Sequence, residues 1–446
     1  MRDRTVLRTW PAALAIAAIV AACGSRIGPP ATPSAGPSAV APASPSVTAS
    51  STASAEPGSS SLPSAPAGSS NPADQATYAQ IETQVQALRQ LKPTSTVTPV
   101  LLDSAGVASY LTRINEAETN HTALANESRL LIDMGMLPKG SDLEQMELAL
   151  DSSQVIGFYD PKSKGLYVLS QSGGVGASQK VTFAHEYTHA LQDQNFGLDK
   201  LQTDAVDQGD RDLARTALPE GDATLSMTQW ATKNMTPAEL LGIVNDPGSA
   251  AQAQQLNDSP AILRQDLTFP YVQGLAFIEQ VYGSGGWSAV DKVYANPPAS
   301  TSQILHPELY TQGVLPVAMT VPALPASLSG WKLTMQDTLG EFQLAIWLGG
   351  TSGADSTASA AVDQWAGDRA GLYEGPNGEW AVVLHTAWRT TGGGAAFDTA
   401  VHKLLGQMGG ASRACSAAAD TGYAAAETIV LASDASLIPA FATCAA

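Results

Sequence analysis

Basic residues, histidines, cysteines and long apolar runs are all scarce in this chain of 446 residues. Lys and Arg number 23 against 41 Asp and Glu. So acidic a surface argues against binding nucleic acid or an anionic membrane through the folded part. Beyond the first two dozen residues no apolar run is long enough for a membrane helix, and no internal repeat is present. Cysteine occurs three times and histidine six. Against that scarcity the placing of two histidines stands out.

The run Val181-Thr182-Phe183-Ala184-His185-Glu186-Tyr187-Thr188-His189-Ala190-Leu191 contains His-Glu-x-x-His and nothing that would break a helix. Residues four apart lie one above the other on a helix face, so His185 and His189 can aim both imidazoles at one divalent ion. Glu186 projects from nearly the same stripe, within reach of a water on that ion. Zinc suits such a site because it takes neutral imidazole nitrogen and keeps a position open for water. The competing reading is two histidines satisfied on a core helix beside a surface glutamate.

A third protein ligand is needed. Asp193, one turn beyond His189, would have to reach back past it and reads better as a partner of the ligands. Glu220, in Ala217-Leu218-Pro219-Glu220-Gly221-Asp222-Ala223-Thr224, is the stronger candidate. A helix starting near Pro219, a residue suited to a first turn, would put Glu220, Ala223, Thr224 and Met227 on one face and Asp222 on the opposite side. Glu220 could also be an ordinary first-turn acid at a helix N-terminus.

HEYTHALQDQ followed by ALPEGDAT resembles the gluzincin branch of zinc metallopeptidases, in which two His and a downstream Glu bind zinc. The resemblance extends to secreted and lipid-anchored HExxH proteins of bacteria. It is carried by Val155-Ile156-Gly157-Phe158-Tyr159-Asp160-Pro161, by Phe269-Pro270-Tyr271, by residues 297–310 (PPASTSQILHPELY) and by Trp365-Ala366-Gly367-Asp368-Arg369. Pro219 departs from it, since an aliphatic residue is expected there. The resemblance implies an α+β fold with a zincin-like core, one Zn2+ held by His185, His189 and Glu220, and Glu186 as general base toward a peptide or protein substrate. It further implies a Tyr or His, downstream of the glutamate ligand, that donates to the developing oxyanion. Tyr271, at the expected start of a helix, and His306, in Leu305-His306-Pro307-Glu308, are the candidates, with Tyr310 behind them. Tyr271 could equally anchor its helix in the core, and His306 could hold its loop.

The N-terminus suggests where the protein works. Arg2, Arg4 and Arg8 precede a short apolar stretch over 12–22, and Val20-Ala21-Ala22-Cys23 resembles a bacterial lipobox whose cysteine is lipidated. Residues 1–22 then form a signal peptide and Cys23 a membrane anchor, placing the chain outside the cytoplasm. Cleavage there removes three Arg and one Asp, leaving 20 basic and 40 acidic residues, net −20. In residues 24–74 only eight of 51 are not Gly, Ala, Ser, Thr or Pro. That composition cannot bury enough apolar surface to fold and makes 23–74 a tether reaching about 40 Å. With Cys23 lipidated, Cys415 and Cys444 remain as an even pair where disulfides are permitted, and a bridge between them is expected.

The rest divides into a helical region (75–149), a zincin-like catalytic domain (150–325) and a small α+β domain (326–446). A monomer is expected. Helices are expected over 78–91 and 105–136, broken at Pro93, and a β-hairpin over 155–169 just before the motif helix. Further helices are expected over 271–282 and 288–295. In the last domain the pattern gives helices near 339–348 and 358–365, a strand at 380–385 and a helix at 396–408.

Overall fold

The computed structural model describes residues 72–169, 174–201, 207–442 and 444; Cys23, the expected signal peptide and nearly all of the expected tether lie outside them. The motif helix, Ala177–Phe196, is the centre of the fold. Every residue from Val181 to Asp193 is buried, and a helix apolar or enclosed all round needs neighbours on every side. It ends at Gly197, whose φ of 73° closes the helix in the left-handed region that glycine enters without steric cost.

Three elements enclose it. On one side lies the helix Pro72–Arg89, with Tyr78 packed on Phe183 at 4.4 Å between ring centroids and Gln86 donating to the Tyr187 hydroxyl at 2.6 Å. On another lies a three-stranded sheet of β1 (Pro99–Leu102), β2 (Gly157–Asp160) and β3 (Gly165–Leu169) in the order β1-β3-β2. The expected hairpin is β2–β3, antiparallel with Phe158 opposite Tyr167; β1 joins it in parallel and was not foreseen. The third is the helix Gly209–Asn234.

That last helix corrects the sequence reading. It begins at Gly209, not near Pro219, which sits in its interior. Gly209 N donates to Asp337 Oδ1 at 2.8 Å and Asp210 N to Thr338 O at 3.1 Å, so the start is fixed by a segment 128 residues away. Proline removes one ladder bond, but the helix continues through it, packed against its neighbours. Pro270 is likewise interior to the helix Ala261–Gly285, so Tyr271 lies mid-helix rather than at a start. The two proline-bearing helices cross at Gly221 and Gly274. A Cβ on Gly221 would stand 2.2 Å from Gly274 O, and one on Gly274 2.4 Å from Ala217 O. Only glycine allows this approach.

The expected helix over 105–136 is two, Ser104–Glu118 and His121–Asp133, because Asn120 turns out of the first and caps the second by accepting from Ala123 N at 3.0 Å. The region 75–149 has no core of its own. Ile81 and Val85 join the motif helix, while Leu130 and Met134 pack into the C-terminal core, where Trp347 Nε1 donates to Met134 O at 2.9 Å.

The C-terminal part is an antiparallel sheet of β4 (Lys332–Asp337), β5 (Trp365–Glu374), β6 (Trp380–Trp388), β7 (Ala411–Ala417) and β8 (Ala425–Ala432), in the order β4-β5-β6-β8-β7. The helices Gly340–Leu348 and Thr391–Met408 pack against it, with Trp347, Trp365, Trp388 and Phe397 in the shared core. The molecule is thus α+β, as expected in class. The helix foreseen to 365 stops at Val362, and Trp365 opens β5. Among the described residues no helix is long and apolar enough to cross a membrane.

Cys415, on the edge strand β7, is joined to Cys444 with 5.5 Å between Cα atoms and 29 residues of separation. Closing a loop of that size stabilises a fold by about 3 kcal/mol in the chain-entropy picture. Mass spectrometry of the unreduced protein should therefore find no free thiol at either position. Reduction should lower the stability of the C-terminal part; two alkylatable thiols in the unreduced protein would contradict the bridge.

Candidate metal centre

His185 and His189 lie one helical turn apart, edge to face, with ring centroids 4.6 Å apart and planes at 82°. Their Nε2 atoms face each other at 3.0 Å. Glu220, from the facing helix, brings Oε2 to 3.0 Å from His185 Nε2 and 3.5 Å from His189 Nε2. These three side chains form the group of possible metal ligands found among the described residues. The three edges compare with about 3.3 Å between neighbouring ligand atoms of a tetrahedron with zinc bonds of about 2.0–2.1 Å. Two imidazole nitrogens this close either share a proton as an N–H···N hydrogen bond or flank a cation. The donor set, two imidazoles and one carboxylate, fits zinc.

The surroundings set the tautomer. Gln192 Oε1 lies 2.8 Å from His189 Nδ1, and Gln192 Nε2 donates to Pro219 O at 3.0 Å. The amide is oriented by that second bond, so Nδ1–H of His189 donates to Oε1 and Nε2 is left as the ligand atom. Gln192 thereby links the motif helix to the backbone beside Glu220. It occupies the role the sequence assigned to Asp193. Asp193 instead accepts from Tyr159 Oη at 2.8 Å, Lys164 Nζ at 2.7 Å and Leu198 N at 3.1 Å, tying the hairpin to the helix end. The reason is helical phase: position i+3 from His189 faces the neighbouring helix, and i+4 faces the sheet.

Glu186 is wholly buried. Tyr159 N on β2 donates to its Oε2 at 2.8 Å, whereas Oε1 has no protein donor. The strand comes this close because Gly157 has no side chain; a Cβ there would meet Thr182 Cγ2 at 2.8 Å. Burial pushes the Glu186 carboxyl up to about 8, helped by the Glu220 charge and opposed by His189 and the Tyr159 N–H. Burial lowers the pKa of His185, more than Glu220 raises it. For His189 burial acts in the same sense, but the Glu220 and Glu186 charges outweigh it and raise the pKa to about 9. Glu220 is held below the usual carboxylate range, because the two histidines outweigh its burial.

Tyr271 packs 6.1 Å from the His185 ring, centroid to centroid. Its phenol is raised well above the ordinary value by burial and then by the charges of Glu220 and Glu186. His306 is placed elsewhere. Its Nε2 pairs with Glu341 Oε1 at 2.6 Å, and none of its hydrogen bonds reaches the metal ligands. Tyr310 donates to Asn296 O at 2.8 Å. Asp222 points away from the centre, as its spacing suggested, and accepts both Arg89 Nε at 2.6 Å and Tyr294 Oη at 2.7 Å. Arg89 lies 133 residues away in sequence, and no local pattern connects the two.

Residues 331–438 match a family described as a domain of unknown function (DUF8575). That stretch is the C-terminal sheet region and contains none of the metal-binding candidates. No curated protein matches the chain. A solved structure titled "Crystal structure of a putative hydrolase with a novel fold from Chloroflexus aurantiacus" is 17% identical, with 56% of this chain and 92% of that chain covered at a TM-score of 0.34. A likeness that low carries no weight for fold or activity.

Replacing Gln192 with Ala should weaken zinc binding about 10- to 100-fold by releasing the His189 ring, read by competition with a chromogenic chelator. Asp193→Asn, whose side chain holds the hairpin and Leu198 N but neither histidine, should leave the affinity as it is. Equal losses in both variants would mean that general loosening, not the Gln192 bond, sets the affinity.

Proposed function

We propose that the chain is a zinc-dependent peptidase of the gluzincin type. It would work outside the cytoplasm, held to the membrane by a lipid on Cys23 and the tether behind it. The observation that supports this best is the convergence of His185 Nε2, His189 Nε2 and Glu220 Oε2 beside a carboxylate with one unpartnered oxygen. When bound, zinc supplies a Lewis acid for the scissile carbonyl and a more acidic water.

The chain's own residues supply the rest. Glu186 is fixed at one oxygen by the Tyr159 N–H, which leaves Oε1 to take a proton from the attacking water and pass it to the leaving amine. Tyr271 keeps its phenolic proton at any physiological pH and can donate it as a hydrogen bond to the oxyanion. Burial of all these groups keeps bulk water from competing for those bonds. The same burial favours a second reading, a non-catalytic envelope module that keeps the metal for support. Release of peptides from a protein library separates the two.

The purified protein should hold one zinc per chain, and chelation should abolish hydrolysis. Glu186→Gln should keep the metal and lose about 10²- to 10⁴-fold in kcat. His189→Ala and Glu220→Ala should lose the metal itself. If Glu220→Ala binds zinc as tightly as the parent, the ligand assignment fails.

Tyr271→Phe should lower kcat by about a hundredfold with little change in KM, because it removes a donor used only in the transition state. His306→Ala, which lies off the centre, should leave zinc content and kcat nearly unchanged. The reverse result would exchange the roles of the two residues.

A further inference from the structure

The five groups of the centre are closed off: His185, Glu186, His189, Glu220 and Tyr271 are each at most 2% exposed. An ion or a peptide reaches them only if part of the surrounding wall moves. Three parts of that wall are pinned by buried contacts. The helix Pro72–Arg89 is held by Arg89 on Asp222, the strand β2 by Tyr159 on Glu186 and Asp193, and the helix Ala261–Gly285 by its crossing at Gly221 and Gly274.

A fourth part is held differently. Two short helices, Pro237–Val244 and Pro247–Asp258, follow the ligand helix. The first packs on the motif helix, where Lys180 Nζ meets Glu239 Oε1 at 3.0 Å with both side chains partly exposed. The second packs on the helix Leu143–Gln154. There Gln252 Nε2 donates to Ser153 O at 3.0 Å, and Gln154 Nε2 donates to Gln252 O at 3.1 Å. Asp151, on that same helix, is near enough for its charge to act on the Tyr271 phenol. The pair thus spans the side of the centre on which Tyr271 stands. Leu240, Ile243 and Leu256 close it by packing into the core that contains Tyr271.

Little else holds this segment. Among the described side chains Ile243 is the buried one of the first helix and the second has none, while Leu241 and Val244 are 60% and 50% exposed. A segment that buries so little opens at low cost. Its two ends suit hinges. The backbone is extended at Met235 and Thr236 before Pro237, and again at Ser259 before Pro260. A residue before proline is kept out of the helical region, so neither end fuses with the neighbouring helix.

We propose that residues 237–258 form a gate over the metal centre, hinged at 235–236 and 259–260 and latched by Lys180–Glu239 and Gln154–Gln252. Opening uncovers the Tyr271 side of the centre. Admission of a peptide rests on the peptidase reading; exposure of the two histidines does not.

Two measurements on the whole, metal-free protein test the gate. Hydrogen exchange read by mass spectrometry should be about a hundredfold or more faster over 237–258 than over 184–193. Carbethoxylation of His185 and His189 by diethyl pyrocarbonate should be slow, because it waits for opening. Lys180→Ala and Gln252→Ala each remove one latch and should speed it about two- to tenfold. In Lys180→Cys/Glu239→Cys, a short bismaleimide joining the thiols should slow it at least about tenfold relative to the same variant capped with N-ethylmaleimide. The exposed His121 and His402 should react at one rate throughout, which separates a gate from general loosening. Exchange over 237–258 as slow as over 184–193, or linked protein modified as fast as capped, would overturn the proposal. If the linker shields both histidines and no form of the zinc-loaded protein releases peptides, the gate stands and the peptidase reading fails.

Discussion

Two imidazoles and a carboxylate meet at one buried point, and most of the molecule is arranged around what that costs. Taking an ionised carboxylate out of water is worth several kcal/mol against folding unless a cation offsets it. Glu220 and Glu186 are both wholly buried within the same small volume. The histidine charges offset part of this, as the depressed Glu220 and the raised His189 record. A divalent ion would offset much more, and its binding would then be coupled to the stability of the fold.

Holding such a centre requires that its helices cannot drift. The motif helix is gripped from the sheet side by Tyr159 N on Glu186, and from the helix side by Gln192 on Pro219 O. The ligand helix is braced behind by Arg89, which forks onto Asp222 and continues to Asp291 at 2.7 Å, with its guanidinium 4.4 Å from the Trp287 ring. Gly221 and Gly274 then let the Tyr271 helix lie against the ligand helix at backbone contact. Most of these braces act on neighbours of the three converging side chains, and Gln192 holds His189 at Nδ1, which leaves both Nε2 atoms facing Glu220.

The Tyr271 helix is also the boundary between two chemistries. On one side stand the candidate metal ligands, and on the other an apolar cavity with the Glu341–His306 pair at its end. Segments far apart in sequence are joined behind that pair. Asp210 accepts from Thr301 N at 3.0 Å, and Asp368 accepts from Leu339 N at 2.9 Å and Gly340 N at 2.8 Å. The Trp-Ala-Gly-Asp-Arg run that the sequence left without a role is therefore a structural clasp: its aspartate holds the start of the helix that carries Glu341.

The sequence alone determined what depends on local geometry. The i, i+4 spacing of His185 and His189 on an unbroken helix follows from 3.6 residues per turn, and so does the orientation of Asp222 away from Glu220. The hairpin before the motif was legible from its turn residues, and the Cys415–Cys444 pairing from the two cysteines that remain when Cys23 is set aside. What only tertiary structure decided was everything set by distant neighbours. Pro219 and Pro270 read as helix starts because proline breaks an isolated helix, yet here packing on several sides carries both helices through. Strand β5 escaped notice because nearly all of it is buried on both faces, which erases the alternation that marks a half-buried strand. Gln192 rather than Asp193 supports His189, and His306 faces Glu341 rather than the centre, because helical phase and packing, not residue type, choose the partner.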